Sequence, residues 1–129
     1  MDAVRHILRY VKSTLQYGLF YEAGCPIQVH GYTYANWASS ISDRRSTSGF
    51  MFSLGSAAIS WSSKKQATVA LSSIEAEYRG AAMVACEVAW LQKLLADLGQ
   101  SEHDAVVIYC DNISNIMLAN NPVYNARTK

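Results

Sequence analysis

The chain of 129 residues has little net charge, few cysteines and no long apolar run. A formal net charge of +1 gives no electrostatic argument for or against nucleic acid. The three cysteines and three histidines show no zinc-type spacing, so Cys86 and Cys110 are expected to be buried free thiols in an intracellular, reducing setting. No apolar run approaches the roughly 20 residues that span a bilayer, so no membrane partner is expected.

The longest periodic stretch, Ser72 to Leu98, predicts a helix. Its apolar residues recur every three or four positions, as one buried helix face requires; they are Ile74, Tyr78, Ala81, Ala85, Val88, Leu91, Leu95 and Leu98. Ser72 and Glu75 have capping-box spacing, in which each side chain satisfies an orphan backbone donor. Glu75 is therefore interpreted either as a cap or as a metal-binding carboxylate above a sheet.

Shorter patterns predict the remaining elements. The expected helices are 3–15 and 113–119, and the expected strands are 17–21, 27–34, 49–55, 58–63 and 105–110. The run at 105–110 is of the kind found in strands covered on both faces. A strand reached through a long crossover helix should lie parallel to a central strand, so the fold class is α/β, a mixed sheet with helices packed on it. The basic first 17 residues are typical of a surface helix, with an organellar transit peptide as the alternative.

Asp111 ends the last predicted strand, at the position where open α/β sheets place ligands. Because the helix that carries Glu75 precedes this strand, the two carboxylates can meet above the strand ends. Mg²⁺ takes oxygen ligands and keeps several waters, so such a pair can begin a magnesium site. The alternative is a helix cap and a turn residue with no shared role.

Six motifs resemble the RNase H domain of copia-type retrotransposon Pol polyproteins. In chain order they are Gly31–Ala38, Asp43–Gly49, Ile59–Gln66, Leu71–Tyr78, Ile108–Asn112 and Asn121–Lys129. Residues 3–12 resemble the segment that leads out of the reverse transcriptase. The resemblance implies that residues 1–24 are a helix and strand from that region, and that 25–129 form an RNase H-like domain, incomplete at its C-terminus.

The resemblance also implies hydrolysis of RNA in RNA/DNA hybrids by two Mg²⁺ ions, which four acidic residues hold. Glu75 matches the helix glutamate and Asp111 the strand-ending aspartate. Tyr34 and Asn36 stand where the family has its first-strand aspartates, and the fourth acid would follow Lys129. With two of four carboxylates missing, little or no hydrolysis is expected, and whether the chain is an enzyme stays open.

Partners follow from the same resemblance. An RNase H sheet has the order 3-2-1-4-5; this chain supplies the first four strands, so 105–110 is expected as an exposed edge that can pair with a partner strand. The candidates for contact with an RNA/DNA hybrid, which could equally form a solvated surface, are Arg44, Arg45, Trp61, Lys64, Lys65 and Arg79. The alternative function is a non-catalytic domain, retained by the host, that binds nucleic acid or protein.

Overall fold

Two helices and four strands form the part of the chain that the computed structural model describes, residues 1–100 and 105–111. In chain order they are α1 (Asp2–Ser13), β1 (Val29–Asn36), β2 (Thr47–Leu54), β3 (Ala57–Lys65), α2 (Ser73–Asp97) and β4 (Val107–Cys110). These bounds confirm the predicted helices at 3–15 and Ser72 to Leu98 and four of the five predicted strands. The predicted helix at 113–119 lies outside the described residues.

The four strands form one sheet in the order β3-β2-β1-β4. β2 pairs antiparallel with both β1 and β3, and the β2–β3 turn contains Gly55 in the left-handed region, at φ 57°. β4 pairs parallel with β1, because α2 carries the chain back across the sheet before β4 begins. The mixed α/β sheet and its order confirm the sequence prediction and are consistent with an RNase H-like fold.

The predicted strand at 17–21 is wrong. This segment has no regular secondary structure and is attached to the β2–β3 hairpin by individual contacts. The Tyr21 hydroxyl donates to the Ala58 carbonyl at 2.8 Å, and the Glu22 N–H donates to Ser56 Oγ at 2.9 Å. Aromatic content favours strands only where a neighbouring strand offers a ladder and a surface to pack on. Here Tyr17 and Phe20 remain about four-fifths exposed.

The core lies between the sheet and α2. Its fully packed members come from β1, β2 and α2: Val29, Phe52, Val84, Leu91 and Leu95. The Phe52 ring lies against Gly31 on the neighbouring strand, where any Cβ would collide with the ring. The sheet face that carries Gly31 and Phe52 is therefore the face that α2 covers.

The buried face of α2 differs from the predicted one in its first half. Leu91 and Leu95 are buried as expected, whereas Ile74 and Tyr78 are about two-fifths exposed. The residues that face the sheet there are Ala76, Glu77, Gly80 and Val84. A Cβ on Gly80 would lie 3.4 Å from Ser48 Oγ, so the helix approaches β2 closely at this point. Small residues permit that approach, and they put Glu77 on the covered face.

β4 is the edge of the sheet within the described part of the chain, and its side chains are not covered on both faces as predicted. Val107 and Tyr109 are about half exposed. The Tyr109 ring stacks on Tyr32 of β1 at a centroid distance of 5.0 Å, on the face opposite α2. The pairing of this edge with a partner strand stays a prediction.

Two further expectations concern exposure. Cys86 is exposed and Cys110 half-buried, so the prediction that both are buried thiols is wrong; both are free. No residue of α1 is buried, in keeping with a surface helix. Within residues 1–100 and 105–111, no helix has the length and apolarity needed to cross a bilayer.

Candidate metal centre

Three donor side chains meet where β4 ends beside β1. One ligand atom each of Glu77, Cys110 and Asp111 lies within 4.8 Å of the other two. Cys110 is the last residue of β4 and pairs with Thr33 of β1, so Asp111 follows at the carboxyl end of two parallel strands. α2 supplies Glu77 from above the same strands. Helix and strand ends thus converge as the sequence predicted, with a different glutamate.

Glu77 is buried at 7% exposure, and its two oxygens have different surroundings. Oε1 accepts the backbone N–H of Ala35 at 3.0 Å, whereas Oε2 is buried and has no hydrogen-bond partner among the residues that the structure describes. Burial raises the pKa of Glu77, the Ala35 hydrogen bond opposes the shift, and the charge of Asp111 adds to it. A buried carboxylate oxygen without a partner is costly unless a cation or proton satisfies it.

Glu75 has the capping role and does not belong to this group of donors. Its N–H donates to Ser72 Oγ at 3.1 Å, as in a capping box, and its Oε2 accepts the N–H of Leu71, the residue before the N-cap, at 2.7 Å. Its Oε1 pairs with Arg79 at 2.6 Å, one turn along the helix. Residues two apart on a helix point to nearly opposite sides, so only Glu77 can face Asp111 while Glu75 faces solvent. The expected meeting of Glu75 and Asp111 is therefore corrected to Glu77 and Asp111.

Tyr34 and Asn36 do not enter the donor group. Thr33 lies on the face that α2 covers, because a Cβ on Gly80 would approach its hydroxyl at 3.8 Å. Alternation along β1 then places Tyr34 and Asn36 on the opposite face. The Tyr34 ring lies over Gly49 of β2, and its hydroxyl is 3.0 Å from Ser63 Oγ of β3.

The predicted hybrid-binding residues divide into separate groups. Lys65 and Arg45 are ion-paired with Asp43, at 3.3 and 3.7 Å. A hydrogen bond from Ser40, then one from the Arg45 N–H, and Lys65 lower the pKa of Asp43 to about 2. The neighbouring Arg44 adopts a left-handed backbone conformation, with φ 55°, and is exposed.

Trp61, Lys64 and Arg79 lie on different surfaces. Trp61 pairs with Met51 on the face opposite α2 and is 64% exposed. Lys64 pairs with Ser48 and so belongs to the helix-covered side of β3, where it is exposed. Arg79 is held by Glu75 and by the hydroxyl of Thr68. The structure therefore does not bring the six predicted residues into one basic surface.

The fold and the comparisons give the class of protein to which the chain is related. The sheet order and the crossing helix are consistent with an RNase H-like fold. Along 99% of its length, the chain is 42% identical to 9% of the "Retrovirus-related Pol polyprotein from transposon RE2" of Arabidopsis thaliana. It is 43% identical over its whole length to 9% of the corresponding polyprotein from transposon RE1 of that plant. It thus spans about a tenth of the length of these curated relatives.

A shorter relative covers part of the chain. Over 70% of its length, the chain is 45% identical to 63% of the "Secreted RxLR effector protein 161" of Plasmopara viticola. No protein-family model matches the sequence, and no solved structure matches it. Homologues of the whole chain are therefore transposon Pol polyproteins. Which domain of such a polyprotein the chain corresponds to has to be inferred from the site.

Proposed function

We propose that the chain is an RNase H-like domain of a retrotransposon polyprotein, with little or no hydrolytic activity of its own. The ancestral reaction is hydrolysis of the RNA strand of an RNA/DNA hybrid. The observation that carries the proposal is the pairing of Glu77 with Asp111 at the carboxyl end of two parallel strands. Full-length similarity to retrovirus-related Pol polyproteins supports the same assignment.

The donor group fits a divalent cation. Oε2 of Glu77 is buried without a partner, and the Asp111 side chain beside it is exposed, so a cation there would gain one anchored and one adaptable carboxylate. Carboxylate oxygens suit Mg²⁺, which retains several of its waters. A bound Mg²⁺ would supply charge for the scissile phosphate and activate water.

The chain's own residues explain the weak activity that we propose. Ala35 holds one oxygen of Glu77, and a carboxylate oxygen of Glu77 lies within 4.8 Å of one from Asp111. β1 adds no carboxylate, because positions 34 and 36 hold tyrosine and asparagine and both lie on the opposite face. Two carboxylates offset only two of the four positive charges of two Mg²⁺ ions. Removing one well-placed electrostatic group commonly costs about 10²–10³ in rate, so the missing ligand accounts for a large loss.

Cleavage of a hybrid with a labelled RNA strand tests the proposal. In Mg²⁺ or Mn²⁺, the chain should release fragments at the rate of buffer alone. The variant Tyr34→Asp with Asn36→Asp places its carboxylates on the face opposite Glu77 and Asp111, so it should leave the rate at that of the unchanged chain. Turnover by the unchanged chain equal to that of a complete RNase H domain would refute the proposed loss of activity.

Contact with an RNA/DNA hybrid is the second part of the proposal. The exposed Trp61 can stack on a base or sugar, and Lys64 and Arg44 are exposed cations that can each contact a phosphate. Binding should weaken as salt rises, because each phosphate contact releases counterions. No binding at low salt would refute this part. Such binding without turnover is also the result that the alternative, a non-catalytic binding domain, requires.

An intracellular location, in the cytoplasm or nucleus, follows from the proposed origin and from three free cysteines. Cell fractionation with an antibody against the chain tests it. Recovery from the medium alone would contradict it.

A further inference from the structure

We propose that Cys110 makes the candidate centre a binding site for a thiophilic divalent cation, Zn²⁺, held by its thiolate and by the carboxylates of Glu77 and Asp111. This inference rests on the carboxylate pair of the proposed function, and it does not depend on nuclease activity. The three donor atoms already lie within 4.8 Å of one another.

The donor set differs from one built for Mg²⁺ alone. Carboxylate oxygens serve Mg²⁺, Mn²⁺ and Zn²⁺, whereas a thiolate strongly favours the softer Zn²⁺. Two carboxylates and one thiolate give three protein ligands, and the exposed side of Asp111 leaves room for water as a fourth. Three protein ligands with one open position is the arrangement of accessible zinc sites. On binding, the Cys110 thiol transfers its proton to solvent and its sulfur forms the metal bond.

Glu77 supplies an observation independent of the clustering. It is 93% buried, and its Oε2 is shielded from solvent and has no hydrogen-bond donor within residues 1–100 and 105–111. The position of that oxygen is fixed, since Ala35 holds the other oxygen of the same carboxylate at 3.0 Å. An oxygen with this environment gains more from a cation than an exposed carboxylate does, because water does not already satisfy it.

The distances require a small adjustment. Zinc bonds of about 2.0–2.2 Å to oxygen and about 2.3 Å to sulfur place tetrahedral ligand atoms about 3.6 Å apart. Because the donors lie within 4.8 Å of one another, they need to close by no more than about 1 Å. Asp111 is exposed and Glu77 is not, so rotation of the Asp111 side chain can supply the movement.

The other two cysteines provide matched controls. Cys86 is exposed on α2, and Cys25 donates to Glu22 Oε2 at 3.6 Å in the segment before β1. Within the described residues, neither belongs to a group of three candidate ligands.

Cobalt spectroscopy tests the inference on the whole chain. Co²⁺ stands in for Zn²⁺ and shows an intense near-ultraviolet charge-transfer band only when a thiolate binds it. With a phosphine reductant present, the chain and its Cys86→Ser and Cys25→Ser variants should show the band, and Zn²⁺ should abolish it. Cys110→Ser, with an unchanged circular dichroism spectrum, should lack the band. Its Zn²⁺ affinity, measured by competition with a chromophoric chelator, should fall by about tenfold or more, since even outer-shell changes commonly cost that much.

Absence of the band in the unchanged chain, or its persistence in Cys110→Ser, would overturn the inference. A separate Mn²⁺ titration, followed by electron paramagnetic resonance, tests the carboxylate pair of the proposed function independently of the zinc site. Mn²⁺ binding that survives Cys110→Ser, without any cobalt–thiolate band, leaves the carboxylate pair intact and refutes the zinc site. A cobalt band that depends on Cys110, without Mn²⁺ binding, supports the zinc site and counts against the proposed magnesium-type centre.

Discussion

Glu75 and Glu77 stand two residues apart in the first turns of α2 and have opposite surroundings. Glu75 is partly exposed, and each of its oxygens has a partner, the Leu71 N–H or the Arg79 guanidinium. Glu77 is buried against the sheet, with one oxygen on Ala35 and the other unpaired. A helix turns by about 100° per residue, so its rotation alone decides which carboxylate meets Asp111. When a helix carries two acids two residues apart, the face of the helix that packs on the sheet determines which acid can meet Asp111.

The helix face is set by small residues. Ala76 is fully buried and Gly80 approaches Ser48, whereas the bulkier Ile74 and Tyr78 lie at the margin of the interface. A helix can approach a sheet closely only where its side chains are short, because interiors are close-packed. The same rotation that buries Ala76 buries its neighbour Glu77.

A larger side chain on the face of α2 that packs against β2 should give the largest loss of stability among these predictions. Ala76→Leu adds volume at a position with no exposure, and overpacking of this kind costs about 1–3 kcal/mol of unfolding free energy. Tyr78→Leu is the control at a partly exposed position and should change stability by about 0.5 kcal/mol or less. Urea unfolding followed by circular dichroism measures both. A smaller loss for Ala76→Leu than for Tyr78→Leu would mean that the helix face is assigned wrongly.

The sequence predicted the elements better than the site, for one physical reason. Alternation and helical spacing located the hairpin and α2, and the crossover rule gave the parallel pairing of β4 with β1. The predicted stripe through Ile74 and Tyr78, however, counted bulky residues as buried. The sequence did contain a pattern that indicates Glu77. Ala76 and Gly80 are small residues four positions apart, which is typical of a helix face in close contact with its neighbour. The pattern is visible only when small residues are counted as core residues. The position of Tyr34 over Gly49 depends on strand register, which local patterns do not fix.

Removing the Glu77 side chain should have a smaller effect. Glu77→Ala leaves the Ala35 N–H without its acceptor, whereas Glu77→Gln keeps an oxygen at the same position. The alanine variant should be less stable than the glutamine variant by about 1 kcal/mol, the net value of one such hydrogen bond. The pair Glu75→Ala and Glu75→Gln gives the same comparison at the capping position, where the lost hydrogen bond is the one from the Leu71 N–H. Equal unfolding midpoints for the two Glu77 variants would show that the Ala35 contact contributes nothing.

The pH dependence of stability should show the smallest difference. Burial raises the pKa of Glu77 in the folded chain, so the folded state binds a proton more tightly than the unfolded state. Ionisation of Glu77 therefore lowers the unfolding free energy as pH rises above the ordinary glutamate pKa. Glu77→Gln should gain stability relative to the unchanged chain as pH rises above about 4.3, the ordinary glutamate pKa, and Glu75→Gln should not. A parallel pH profile for Glu77→Gln and the unchanged chain would contradict the raised pKa.

Mn²⁺ titration of Glu77→Gln and Glu75→Gln, followed by electron paramagnetic resonance of the free ion, tests the central claim most directly. The claim is that Glu77, with Asp111, forms the cation-binding pair and that Glu75 caps the helix. Both substitutions remove one charge from the same helix and differ only in the face affected. Mn²⁺ affinity should fall by about tenfold or more in Glu77→Gln, and by less than about twofold in Glu75→Gln. The reverse order, or equal losses in the two variants, would contradict the account.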